Sequence, residues 1–200
     1  MPPNALLRQL IIFLLALIAF SLPWSSAGVG AALSFNALDL AEWASLHPAS
    51  QAQIPVLLST ALIRIALAFM GITICFSVSG RAARITAAAA LIIITAWLLP
   101  PPEFLRDTGN ANYAQMAFIA VFTAGAGLAG LLTNPPLRRT IATAAVVLGS
   151  ISAVTGALSA NSMLATLDIP FVPGMGMPLT IIAFGLAAFF LWREKKDRTA

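Results

Sequence analysis

Residues 57–84 have the sequence LLSTALIRIALAFMGITICFSVSGRAAR. Residues 57–78 carry a single charge, Arg64, and two cations follow at Arg81 and Arg84. A helix needs about 20 mostly apolar residues to cross a bilayer core of about 30 Å. Lys and Arg collect in the cytoplasmic segments beside such helices. The stretch therefore predicts a membrane-spanning helix whose C-terminal end lies on the cytoplasmic side.

The same association of apolar runs with flanking charge extends over the whole chain. Cations occur in the short segments between alternate apolar runs, at Arg8, Arg81, Arg84, Arg138, Arg139, Arg193, Lys195, Lys196 and Arg198. The other segments hold acids, with Arg106 as their cation, at Asp39, Glu42, Glu103, Asp107 and Asp168. Both termini on the cytoplasmic side and six spans satisfy this pattern. We therefore expect a multi-pass protein of the plasma (cytoplasmic) membrane.

The predicted fold is an all-α, polytopic integral membrane bundle that forms a single membrane domain over residues 1–200. The six expected transmembrane helices cover about 5–22, 55–78, 85–99, 114–132, 140–160 and 177–192. Proline residues end the third span at Pro100 and follow the fourth at Pro135 and Pro136, where they cannot continue a helix.

The first span has an alternative interpretation. Its apolar run is short, Arg8 precedes it, and Ser25, Ser26 and Ala27 come before Gly28. A basic start, a short apolar run and small residues are also typical of a cleaved signal peptide. Cleavage after residue 27 would leave five spans and an external N-terminus.

The composition excludes several classes of protein. The chain is 60% hydrophobic and 9% charged, whereas soluble domains carry about 25% charged residues. The lipid bilayer is therefore an expected partner. The net charge of +4 is spread over the segments between spans, without a basic stripe interleaved with aromatic residues. Nucleic acid is accordingly not an expected partner.

A short helix is predicted in the first external segment, residues 28–53. Asn36 can cap it, with Asp39 three residues later, and Pro48 prevents its continuation past His47. Trp43 suits headgroup depth. We expect this helix to lie in the outer interface of the membrane.

Arg64 is the candidate intramembrane charge. It stands roughly 21 Å across a core of about 30 Å when Val78 marks the inner end. Such a charge is costly inside lipid and suggests a function. Three interpretations remain open: snorkelling to the outer interface, binding an anionic substrate or lipid, or an ion pair with an external acid. The possible external partners are Asp39, Glu42, Asp107 and Asp168.

Small residues recur in the fourth and fifth spans. They occur at Gly125, Gly127, Gly130, Ala145, Gly149 and Ala153. The three glycines match the G-x-G-x-x-G pattern, but the dinucleotide motif requires a helix to follow, and Pro135 and Pro136 prevent one here. Small residues let membrane helices approach closely. We therefore expect the fourth and fifth spans to be direct neighbours, although hydroxyl groups of the fifth span could line a polar path.

The sequence offers few groups for catalysis. Cys75 is the single cysteine and His47 the single histidine. HExxH, GxSxG and Walker A motifs are absent, and no carboxylate lies inside a predicted span. Proton-coupled transporters usually carry Asp, Glu or His inside the membrane. We expect no enzymatic activity, no metal and no cofactor.

The sequence favours a non-catalytic multi-pass subunit of a larger membrane complex, in a transport or energy-transducing assembly. Other membrane subunits, or further copies of the chain, would be its partners. The alternative is a stand-alone small permease or channel, in which Arg64 and the hydroxyl groups of the fifth span share a cavity. A lipid-modifying membrane enzyme is a third possibility, and it requires Asp39, Glu42, Asp168 and His47 to converge in one cleft.

Overall fold

The computed structural model describes residues 4–27, 34–78, 80–107, 109–133, 135–167 and 171–199. Within those residues the α-helices are α1 (Asn4–Ser21), α2 (Ala37–Leu46), α3 (Pro48–Gln51), α4 (Leu58–Phe76), α5 (Arg81–Leu98), α6 (Ala111–Leu132), α7 (Pro135–Leu164) and α8 (Gly176–Thr199). Two 3-10 turns cover Pro102–Leu105 and Ala165–Leu167. Three short strands are β1 (Ser25–Ala27), β2 (Ser34–Phe35) and β3 (Phe171–Pro173).

Five helical segments of the described chain are long and apolar enough to cross a membrane. They are α4, α5, α6, Leu137–Leu167 and Gly176–Arg193. The apolar part of α1, Leu6–Ser21, is shorter. The architecture is thus all-α in its main elements and of the kind found in membrane-embedded proteins.

Helix α4 forms the centre of the bundle. It packs against α5, α6, α7 and α2, and 72% of its apolar stretch is buried inside the protein. A helix that is hydrophobic on all sides is suited to such a position because it can contact neighbours in every direction. This strongly apolar segment is therefore enclosed by the other helices.

The remaining long helices, α1 and α8, lie at the side of the bundle. Helix α1 packs against α8 and α5, and α8 also packs against α7. One end of the bundle carries the three strands and α2, and we call it the sheet end. The opposite end carries Arg8, Arg81, Arg84 and Arg138, and we call it the basic end.

A small antiparallel sheet, absent from the predictions, joins the loops after α1 and before α8. Its strand order is β2-β1-β3. Next to it Trp24 is fully buried, and its indole Nε1 donates to the carbonyl oxygen of Ala19 at 3.0 Å. A side chain at Gly176 would collide with Trp24. Strands of two or three residues are too short to show the alternating pattern by which strands are predicted.

The small-residue faces pack differently from the prediction. Helices α6 and α7 both pack extensively on α4 rather than on each other. Gly127 faces Leu91 of α5, Gly130 faces Phe76, and Gly149 faces Phe184 of α8, while Gly125 faces open space. The predicted direct pairing of the fourth and fifth spans is therefore wrong. Small residues allow a close approach without specifying which helix makes it.

Helix α7 begins at Pro135, five residues before the predicted span. Its first turn includes Arg138, which is buried. The guanidinium of Arg138 donates to the carbonyl oxygens of Val78 at 2.9 Å and Leu131 at 3.3 Å. These carbonyls follow α4 and lie in the last turn of α6, where helices leave carbonyl groups without partners. A cation there also complements the helix dipoles. Arg138 thus ties three helices together at the basic end.

Replacing Gly156 with Ala should destabilise the bundle, because the new methyl group would lie 2.9 Å from the backbone nitrogen of Ile63. Overpacking of this kind costs about 1–3 kcal/mol, so the thermal unfolding midpoint in detergent should fall by several degrees. Gly125→Ala is the matched control, because no atom lies within 4 Å of its added methyl group. Equal midpoints for the two variants would contradict the close packing of α7 on α4.

Candidate functional site

Helix α2 presents a carboxylate to the bundle. The side-chain oxygen of Asn36 accepts hydrogen bonds from the backbone nitrogens of Leu38 at 2.8 Å and Asp39 at 3.0 Å, which confirms the predicted cap. The apolar face of α2, including buried Leu40, packs against α4. This docking places Glu42 beside Arg64.

Arg64 is buried, with 2% of its surface exposed. Its Nη2 forms a salt bridge with Glu42 Oε2 at 3.0 Å. Its Nη1 donates to Asn112 Oδ1 at 2.6 Å and to Gln115 Oε1 at 3.3 Å. We call Glu42, Arg64, Asn112 and Gln115 the Arg64 cluster.

The amide groups of the cluster complete the network. Asn112 Nδ2 donates to both carboxylate oxygens of Glu42, at 3.3 and 3.2 Å. Gln115 Nε2 donates to the backbone carbonyl of Leu57 at 3.3 Å. Asn112 and Gln115 lie three residues apart on α6, a spacing that places them on one helix face. The cluster therefore joins α2, α4 and α6 at the sheet end.

The structure agrees with the ion-pair interpretation of Arg64. Its guanidinium bonds to an acid and does not reach the solvent surface. The Glu42 side chain is 50% exposed whereas that of Arg64 is 3% exposed. Asp39 and Asp107 are exposed, and Asp107 accepts a hydrogen bond from Asn110 Nδ2 at 3.2 Å. Asp168 lies outside the described residues. A buried cation that is paired and hydrogen-bonded in this way avoids much of the cost of burial.

Two members of the cluster were missed by the sequence analysis. Asn112 falls before the predicted fourth span, and Gln115 falls in its first turn. In the structure α6 begins at Ala111, capped by Asn110, whose side chain accepts from the backbone nitrogen of Asn112 at 3.0 Å. The signal in the sequence was a pair of amides three residues apart at the start of an apolar run.

A second polar contact at the sheet end joins α4 to α7. Ser59 Oγ accepts from Gln53 Nε2 at 2.6 Å and from Ser159 Oγ at 3.0 Å. Nearby, Ser25 Oγ donates to Asn161 Oδ1 at 2.7 Å and links β1 to α7. These bonds join the turns of the two helices at the sheet end to each other and to the sheet.

Other hydroxyl groups of α7 bond within their own helix. Ser150 Oγ donates to the carbonyl oxygen of Val146 at 2.8 Å, and Thr155 Oγ1 donates to that of Ile151 at 2.7 Å. Side-chain hydroxyls in apolar helices commonly satisfy themselves on the preceding turn in this way. Neither hydroxyl therefore depends on a water-filled path.

The side chains that could serve in catalysis or metal binding, such as His47 and Cys75, do not form a common site in the described residues. His47 Nε2 lies 3.1 Å from Thr166 Oγ1, and His47 Nδ1 accepts from the backbone nitrogen of Ala49 at 3.2 Å. Cys75 is buried. Over the part of the chain that the structure describes, no three His, Cys, Asp or Glu side chains are grouped so that they could hold a metal ion. Glu42 and His47 have different hydrogen-bond partners.

Comparison with known proteins found no match: no family model, no curated protein and no solved structure corresponds to this chain.

Glu42→Gln should lower stability, because Arg64 loses its counter-charge while it remains buried. The expected cost is about 1–3 kcal/mol, measured by chemical or thermal unfolding in detergent. In a double-mutant cycle with Arg64→Leu, the coupling energy should exceed about 0.5 kcal/mol.

The matched control for this cycle is Asp39→Asn, which removes an exposed acid from the same helix. Its effect should add to that of Arg64→Leu within about 0.5 kcal/mol. A coupling energy for Glu42 no larger than that for Asp39 would show that the ion pair does not hold α2 on the bundle.

Proposed function

We propose that this protein is a non-catalytic multi-pass membrane subunit of a larger membrane complex, in a transport or energy-transducing assembly. The observation that carries this proposal is the internal use of Arg64. Its described hydrogen bonds all go to side chains of α2 and α6. The guanidinium of Arg64 holds α2 against the bundle at the sheet end through its ion pair with Glu42. It therefore serves the packing of the protein and not the passage of a solute.

The arrangement of α7 also supports a structural role. A permease that used the hydroxyl groups of α7 with Arg64 would need them to face a shared cavity. Instead Ser150 and Thr155 bond to carbonyl oxygens of their own helix, and Ser159 bonds to Ser59 of α4. Helices joined by side-chain bonds and close packing form a rigid unit suited to assembly with other subunits.

A surface of α6 is suited to contact another membrane helix. Phe118 and Val121 are 73% and 71% exposed, and Phe122 is also exposed. Gly125 lies on the same exposed side, with open space where a side chain would project. Bulky apolar groups beside an exposed glycine allow a neighbouring helix to pack closely in lipid.

We further propose six spans in the cytoplasmic membrane, with both termini in the cytoplasm. Helix α1 has 18 residues and is therefore about 27 Å long, close to the thickness of a bilayer core. It packs beside α8, with Arg8 at the basic end, and buried Trp24 follows it at the sheet end. This integration into the bundle favours retention of α1 over cleavage as a signal peptide. The cations of the basic end then face the cytoplasm.

A stand-alone permease or channel is the second candidate. It is favoured by the half-exposed Glu42, which connects the buried Arg64 cluster to the surface at the sheet end. In that case the cluster would form the entrance of a binding site for a small solute.

Extraction from the native membrane in a mild detergent should yield stable partners at about one-to-one stoichiometry, identified by mass spectrometry. Gly125→Leu should reduce their recovery without lowering the amount of this protein, because the added side chain fills the open space on α6. Gly185→Leu is the matched control, since Gly185 on α8 also faces open space on another helix.

A lone particle in detergent, together with loss of solute flux in Arg64→Leu at unchanged protein level, would contradict the subunit proposal and support the permease. A lower protein level or a failure to assemble in Arg64→Leu would instead agree with a structural role for Arg64 in its ion pair with Glu42.

The topology can be tested with single cysteines in a Cys75→Ala background. Asp39→Cys should react with a membrane-impermeant maleimide on intact cells, whereas Arg81→Cys should react only after permeabilisation. Both positions are exposed, at the sheet end and the basic end respectively. An N-terminal epitope tag that is accessible on intact cells would contradict six spans.

A further inference from the structure

A small pocket lies at the basic end between α1, α8 and the end of α4. It is lined by Arg8, Gln9, Ile12, Ser77, Ala187, Phe190 and Leu191. Its volume is about 20 Å³, which is room for one group the size of a water molecule or an oxygen atom. The pocket lies far from the Arg64 cluster, at the other end of the bundle.

Gln9 is an unexplained polar group in this pocket. It is 94% buried, and neither its Nε2 nor its Oε1 has a hydrogen-bond partner among the described residues. Buried amides without partners are rare, and each one requires an explanation such as an unseen ligand. Gln9 lines the pocket, and its amide group carries two donor hydrogens that no described residue accepts.

Arg8 adds a positive charge beside Gln9. Its guanidinium carbon lies 5.5 Å from the centroid of the Phe190 ring, a distance within the range of a cation–π contact. That contact holds the head group of Arg8 against α8, at the rim of the pocket. A guanidinium in a fixed orientation is well suited to bind phosphate oxygens.

The residues around the pocket are of the kind found at the membrane surface. Ser77 follows the last residue of α4, and Trp192 on α8 is 61% exposed one residue after Leu191. Tryptophan is enriched where membrane helices meet the headgroups. Because one oxygen-sized group fits inside, a ligand would insert one oxygen and keep its remaining atoms at the surface.

We propose that this pocket binds the phosphate group of an anionic phospholipid in the leaflet at the basic end. One phosphate oxygen accepts hydrogen bonds from Gln9 Nε2 inside the pocket, and Arg8 binds a second oxygen at the rim. The acyl chains then extend from the rim of the pocket into the bilayer. Cationic pockets between membrane helices bind lipid headgroups in this way.

The test is native mass spectrometry of the purified, delipidated protein after addition of phosphatidylglycerol, phosphatidylcholine or a neutral glycolipid without phosphate. Phosphatidylglycerol should be retained best and the glycolipid least. Arg8→Gln and Gln9→Leu should each weaken phosphatidylglycerol binding at least about tenfold, the effect of losing one hydrogen bond to a charged group. Arg8→Lys should retain part of the binding, because it keeps the charge.

Arg81→Gln is the matched control, because it removes an exposed cation from the same end of the protein without touching the pocket. Equal binding of phosphatidylglycerol by this control, Arg8→Gln and Gln9→Leu would overturn the proposal. Gln9→Leu should also unfold at the same or a higher temperature than the original protein without lipid, which separates loss of binding from loss of folding.

A test with free inorganic phosphate distinguishes a lipid phosphate from a soluble phosphate as the ligand of the pocket. At constant ionic strength, phosphate should raise the unfolding temperature of the delipidated protein far less than phosphatidylglycerol does. An equal rise with phosphate alone, abolished in Arg8→Gln, would overturn the assignment to a lipid and indicate a soluble anion.

Discussion

The burial of the Arg64 charge in an apolar bundle is the constraint on which the arrangement of the sheet end depends. An unpaired guanidinium at this depth would be costly, so α2 and α6 must both supply partners. Glu42 contributes the counter-charge, and Asn112 bridges the two by accepting from Arg64 and donating to Glu42. One side chain of α4 therefore holds both α2 and the first turns of α6.

The same helix determines the packing of the bundle through its shape. Helix α7 approaches α4 at Gly156, beside the backbone of Ile63, and α6 approaches it at Gly130, beside Phe76. In lipid, helices associate through close contact and hydrogen bonds, because hydrophobic exclusion from water does not operate there. The Ser59–Ser159 bond and the Arg64 cluster supply those hydrogen bonds at the sheet end.

The two ends of the bundle use arginine for different purposes. At the basic end, Arg138 satisfies carbonyl groups after α4 and in the last turn of α6, and Arg8 rests against Phe190. At the sheet end, Arg64 is neutralised by an acid. The basic end therefore keeps its net positive charge, which is the charge distribution that orients membrane proteins. A positive surface with an unsatisfied amide at Gln9 is also where an anionic lipid would bind.

The sequence alone determined the helical membrane class, the approximate extent of the long spans and the capped helix after Asn36, because these features depend on local hydropathy and on short-range hydrogen bonds. It also identified Arg64 and four possible acids. The tertiary structure decided which acid pairs with Arg64, that Asn112 and Gln115 join it, that α6 and α7 both pack on α4, and that β1 pairs with β3. Each of these depends on contacts between residues far apart in the chain, for which local patterns carry no information about the partner.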